Sequence, residues 1–201
     1  MPALEYHGPK PVTGTDVATM DRLPLVEPQA TDTTLYGDQI STLRRVEAIW
    51  GETLSPGYLT AWAMISPKTL TASVLTFCVF TAHSGLATFD FGIYTGPDLT
   101  TLTQRASTFS LDWIATPGVK SWTLPNPITL TKGEAVAMCG VTTGSGTAPR
   151  LASTTPGGST LINETPYSVY QGGQSYPLPE TLNLHHTRWT RANQKFWFAL
   201  R

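Results

Sequence analysis

The chain has 201 residues and a formal net charge of −1, enough for one large domain or one good-sized domain with an appendage. Charged residues make up 13%, about half the ~25% usual for soluble proteins, and the nearest things to basic clusters are Arg44-Arg45 and Arg188 to Lys195, which argues against a nucleic-acid partner. No run of 18 apolar residues is present, and Met1 to Val12 has no apolar signal core, so neither a membrane span nor Sec export is expected.

Threonine fills much of the space left by charge, with 33 copies beside 17 Gly and 16 Pro. Thr is β-branched and suits a half-exposed sheet, so the composition predicts short strands and tight turns rather than helices. Residues 1 to 30 carry Pro2, Pro9, Pro11, Pro24 and Pro28 with Gly8 and Gly14, a density that blocks both helix and ladder. This stretch reads as an extended assembly arm, ordered only against a partner.

Residues 31 to 50 predict one short amphipathic helix. Thr31 or Asp32 is a suitable N-cap, and Gly51 a C-cap. Tyr36, Leu43, Val46 and Trp50 form an apolar seam flanked by Ile40. The seam either packs on its own domain or forms a short oligomeric neck. Two heptads do not stand alone, so a neck requires the following domain to trimerise as well. The chain thus divides into an arm and helix, 1–50, and a β-sandwich domain, 51–201.

From Leu54 the period becomes two. Leu59 to Ile65, Leu70 to Thr81, Ala87 to Thr95, Thr101 to Phe109, Val119 to Leu124, Ile128 to Leu130, Glu134 to Val141 and Lys195 to Leu200 read as strands. Phe89, Phe91 and Ile93 are expected inward and Asp90 outward. Turn signals separate these strands and no helical pattern intervenes, so the expected fold is all-β: an antiparallel, jelly-roll-like β-sandwich preceded by the arm and helix. Residues 142 to 190 are turn-rich and read as long surface loops with short strands between them.

No constellation for catalysis emerges. No G-x-S-x-G elbow is present, and Cys78 and Cys139 sit in apolar runs that raise a thiol pKa. The two cysteines pair only if their strands are neighbours. A chain made in a reducing cytoplasm keeps them as small buried hydrophobes. His7 and His83 read as exposed arm and turn residues. The doublet His185-His186 points to opposite faces if it lies in a strand, which makes a poor chelate. Asp90, Asp98, Asp112 and Glu134 are the carboxylates available for glycoside hydrolysis, with Asp112 beside Trp113 the most suggestive. Asn163-Glu164-Thr165 is a formal sequon that reads as loop. No enzyme, cofactor or metal site is expected.

Val12 to Leu23 (VTGTDVATMDRL) resembles a short element of phage tail-fibre and minor tail proteins, with Asp16, Ala18, Thr19 and Asp21 matching and Met20 in place of the usual Lys. Phe89 to Val141, with FDFGIYTGPDLTTLTQRAS and SWTLPNPITLTKGEAVAMCGV, is similar to the β-sandwich modules of actinobacteriophage minor tail proteins. In this comparison Ala135, Ala137 and Cys139 are small inward residues that leave room for Phe89 and Phe91.

The resemblance implies a virion protein, often trimeric, made in the host cytoplasm and located in the tail rather than on the capsid surface. Its arm would dock on other virion proteins and its sandwich would face outward. Capsid decoration is an alternative, as is a carbohydrate-binding module. Tyr167, Tyr170 and Tyr176 with Gln171 and Gln174 are the candidates for contact with a host-surface glycan or protein, since Tyr gives wide contact at low entropic cost. Tyr36, Ile40, Leu43, Val46 and Trp50 are the candidates for oligomerisation.

Overall fold

The alternation from Leu54 onward produces an antiparallel sandwich of two packed sheets. The computed structural model describes residues 30–154, 167–174, 177–192 and 195–201. The expected arm lies outside these, apart from Ala30. In chain order the elements are a helix α1 (Ala30–Tyr36), then β1 (Ile40–Ser41), β2 (Trp50–Thr53), β3 (Tyr58–Ile65), β4 (Leu70–Thr81), β5 (Thr88–Gly96) and β6 (Leu102–Phe109). They continue with β7 (Gly118–Leu130), β8 (Ala135–Thr143), β9 (Arg150–Ser153), β10 (Tyr167–Gly172), β11 (Thr181–Leu182), β12 (Thr190–Arg191) and β13 (Phe198–Leu200).

The larger sheet runs β11-β6-β5-β8-β3-β10-β12. The smaller sheet centres on β4, which pairs with β7 along one edge and shares its other edge between β13 and β9. Beyond these lie β1 against β13 and β2 against β9. From β2 to β10, every connection except β5–β6 crosses between the sheets. Pro125 and Pro127 sit within β7, which is an edge strand, where its ladder with β4 skips register between Ala72 and Val74. On the other side of that bulge, the Ser73 and Val74 amides both donate to the Arg201 carbonyl.

The main core lies between the sheets. Trp62, Phe77, Phe89, Phe91, Met138, Phe196 and Phe198 are all buried there. Trp122 is buried in the same core and Trp113 packs against it. A second core covers the outer face of the larger sheet, where Leu178, Leu182 and Leu184 lie over Leu59, Ala61, Ala63, Ala135, Ala137 and Cys139. Strands β3, β5 and β8 are therefore buried on both faces.

This overturns the expected placement of Ala135, Ala137 and Cys139. They face the second core, and Val136 and Met138 point inward beside Phe89 and Phe91. Their small size lets the 177–184 strap lie close to the sheet. The two cysteines are unpaired and belong to different clusters, Cys139 in this second core and Cys78 on the outer face of the smaller sheet. Burial pushes both thiols up from their ordinary value.

Asp90 does alternate outward from the main core, but the strap buries it. Its Oδ2 accepts the Leu178 amide at 3.0 Å, and burial raises its pKa above the usual carboxylate range. A group whose folded pKa is raised contributes its stability below its unfolded pKa and loses it as pH rises through the folded value. Asp90→Asn keeps an oxygen for Leu178 and removes the charge. It should match or exceed the wild type at pH 7, with the difference shrinking as pH falls towards 4. Asp90→Ala leaves the buried Leu178 N–H unpaired and should cost about 1–3 kcal/mol. Urea midpoints at the two pH values check both.

The helix predicted over 31–50 is the principal correction. It runs only over Ala30–Tyr36, so Thr31 and Asp32 lie inside it rather than before it. Gly37 ends it at φ 72°, with its amide bonded to the Thr33 carbonyl at 3.0 Å. Ile40 then enters β1 and the main core, while Leu43 packs with Trp197 and Ala199 on the outer face of the smaller sheet. Val46 follows in a 3₁₀ turn, Arg45–Glu47, and Trp50 opens β2. Both are exposed, as is Tyr36. The seam is thus an accident of spacing. Its residues serve two different clusters and the solvent, and the boundary expected at 50/51 falls inside β2.

What holds this segment down is a charge cluster around Asp38, whose side chain is buried. It accepts from Arg45 Nε at 2.8 Å and Nη2 at 3.0 Å, and from Arg201 Nε at 2.9 Å. The Arg45 guanidinium lies 4.1 Å from the centre of the Tyr36 ring and 4.6 Å from that of Trp197.

Candidate functional site

A cleft opens where the two sheets part, at the edge marked by β2 in one and by β10 and β12 in the other. Its volume is about 400 Å³. Glu52 lines it from β2, Tyr58 and Thr60 from β3, Tyr170 from β10, Arg191 from β12, and Phe196 from the approach to β13.

The register explains the convergence. Thr60 stands opposite Tyr170, and Trp62 opposite Ser168. Directly opposed residues share a face, so Tyr58, Thr60, Trp62, Ser168 and Tyr170 all project to the inner side of the larger sheet. Towards the middle this row is core, with the Trp62 ring centre 4.8 Å from that of Phe196, the two rings tilted by 31°. Towards the edge it runs beyond the cover of the smaller sheet and becomes the cleft wall. The Tyr58 and Tyr170 rings meet edge to face at 5.8 Å, and Tyr58 also lies against Gly172, where a methyl would come within 3.1 Å of it.

Glu52 supplies the carboxylate. Partial burial raises its pKa, while Arg150 and the Thr53 amide pull it down. Further along the same row and outside the cleft lining, the Trp62 indole nitrogen and the Ser168 hydroxyl are buried without a hydrogen-bond partner among the described residues.

The residues singled out from sequence are only partly brought together here. Tyr170 lines the cleft. Gln171, one residue on, stands opposite Leu59 and so projects to the other face of the sheet. Gln174 closes the chain after β10, its amide bonded to the Gly57 carbonyl at 3.0 Å and its side chain to Gly172. Tyr167 begins β10, and Tyr176 lies outside the described residues, as does the 163–165 sequon.

Sequence reasoning missed Glu52, Tyr58 and Arg191. Nothing in the local pattern marks them, because strands distant in the chain assemble the site.

Of the carboxylates weighed for glycoside hydrolysis, Asp98 and Glu134 have local structural roles. Asp98 accepts the Thr100 and Thr101 amides and the Thr100 hydroxyl, bonds that lower its pKa. Glu134 accepts the Thr131 amide at 2.6 Å and closes the β7–β8 turn. Asp112 lies in the 3₁₀ turn Leu111–Ile114, its amide capped by the Ser110 hydroxyl. His185 and His186 sit in a turn rather than a strand, with His186 Nδ1 accepting the Arg188 amide. Among the described residues no three His, Cys, Asp or Glu side chains group as metal ligands, and no helix is long and apolar enough to cross a membrane.

No protein-family model matches the chain, and no curated protein matches it in sequence.

A second exposed feature lies on the smaller sheet. Phe80 folds across Gly51, where a methyl would come within 2.5 Å of the ring. The Arg150 guanidinium lies 5.5 Å from the Trp50 ring and 5.7 Å from that of Phe80, and donates to the Gly51 carbonyl. Trp50 and Phe80 are thus two exposed aromatics on either side of the Arg150 guanidinium.

Proposed function

We propose that the protein is a structural component of a bacteriophage virion, most simply a minor tail or tail-tip protein. Its N-terminal segment docks on other virion proteins, and its sandwich is displayed outward to meet the host surface. The observation that supports this reading is the division of the chain. The Pro-rich residues 1–29 precede a sandwich whose first strand, β1, is already locked against its last, β13.

A test of the arm must leave the sandwich intact. Removing residues 1–50 would take away Asp38, Ile40 and Leu43 from the sandwich itself, so the deletion must end at residue 29. Protein lacking residues 2–29 should keep the thermal midpoint of the full chain yet be missing from purified particles. Incorporation at the wild-type level would sink the docking role. Antibody raised against the sandwich should label tails in electron micrographs. Label on heads would move the protein to capsid decoration, and unlabelled particles would reject the virion reading altogether.

A further inference from the structure

We infer that the cleft between the sheet edges is a binding site for a neutral saccharide unit. The inference rests on the host-contact part of the reading above for the source of the sugar, while the chemistry of the cleft stands by itself.

Two features define the ligand. Tyr58 and Tyr170 are held edge to face at 5.8 Å, and both rings line the cleft. A pyranose presents an apolar C–H face that packs on such a ring, while its rim carries hydroxyls. The wall supplies partners for that rim: the Glu52 carboxylate as acceptor, the Arg191 guanidinium as donor and the Thr60 hydroxyl as either.

Charge and size narrow the class. One carboxylate and one guanidinium line the cleft, so it offers no net charge to a phosphate or an acidic sugar. A volume of about 400 Å³ lies at the lower end of the range for small-molecule sites, too small for a folded partner. Hydrogen-bond acceptor, donor and aromatic face together in so small a space suit a polyhydroxylated ring.

The test is saturation-transfer NMR on the full-length protein. The probes are the methyl glycosides of glucose, mannose, galactose and arabinose, with N-acetylglucosamine, and with sialic acid as the charged comparison. At least one neutral probe should receive saturation. Tyr170→Ala and Glu52→Gln should each weaken its binding about tenfold, the loss expected for one aromatic or charged hydrogen-bonded contact. Tyr170→Phe, which keeps the ring, should retain most of it, and Val46→Ala, at an exposed position outside the cleft lining, all of it.

Circular dichroism and the thermal midpoint establish that each variant is folded. No transfer to any neutral probe overturns the inference, as does transfer to sialic acid alone. Transfer undiminished in both folded Tyr170→Ala and Glu52→Gln overturns it too. None of these results bears on tail labelling, so failure of the saccharide site and failure of the virion reading are separately visible.

Discussion

Truncation of Phe91 to alanine should cost about 3–5 kcal/mol, a large part of the ~5–15 kcal/mol that a domain possesses. Phe91 is fully buried, and its ring centre lies 5.1 Å from those of Phe77, Phe89 and Trp122 and 5.7 Å from that of Trp113. Of these five rings it is the one that touches the other four, so its removal strips contacts from both sheets at once. The cost depends on whether the surroundings collapse into the space. Here they are held. Strand β5 is paired with β8 from Thr88 to Gly96 and with β6 on its other side, while the strap covers its outer face. Phe91→Leu keeps most of the volume and should lose far less, about 1 kcal/mol. Urea unfolding by fluorescence and circular dichroism measures both. A loss below about 1.5 kcal/mol for the alanine variant would mean that the sheets close over the cavity.

The aromatic core was legible because strand periodicity is a local signal. Phe89, Phe91 and Ile93 alternate in five residues, and Phe196, Phe198 and Leu200 do the same at the other end of the chain. The second core was not legible. Ala135, Ala137 and Cys139 alternate just as regularly with Val136 and Met138, and both sets are apolar, so the pattern cannot say which faces the other sheet. Only the strap decides it, and the strap's leucines lie about forty residues further along the chain in a turn-rich stretch.

The helix expectation failed for a related reason. Seven-residue spacing between Tyr36 and Leu43 reads as a helical seam, yet Gly37 lies between them in a conformation that stops a helix. Of the cleft, Tyr170 was visible as an aromatic in a polar loop. Glu52, Tyr58 and Arg191 were not, because their meeting depends on the pairing of β2 with β9 and of β10 with β3 and β12.

The pairing of β1 with β13 makes Asp38 the second sensitive position. Asp38→Ala should cost about 3–5 kcal/mol, the range for removing one member of a buried ion pair. The carboxylate has 1% of its surface exposed, and Arg45 and Arg201 have only 16% and 29%. Removal of the anion leaves two poorly hydrated guanidinium groups facing each other, with no other carboxylate paired to either among the described residues.

The effect is also positional. Arg201 carries the backbone groups that bridge the β4 bulge, and Arg45 sits between Tyr36 and Trp197. Loss of Asp38 therefore loosens both ends of the described chain together. Asp38→Asn keeps the shape but turns a donor towards two donors, and it should recover less than half of the loss. In the double variant Asp38→Ala/Arg201→Ala one of the orphaned charges is gone, so its destabilisation should fall short of the sum of the singles. Chemical denaturation of the four proteins measures this coupling. Strict additivity would show that Arg201 reaches water freely once Asp38 is removed, and that burial of the cluster contributes little to holding the N-terminal segment on the sandwich.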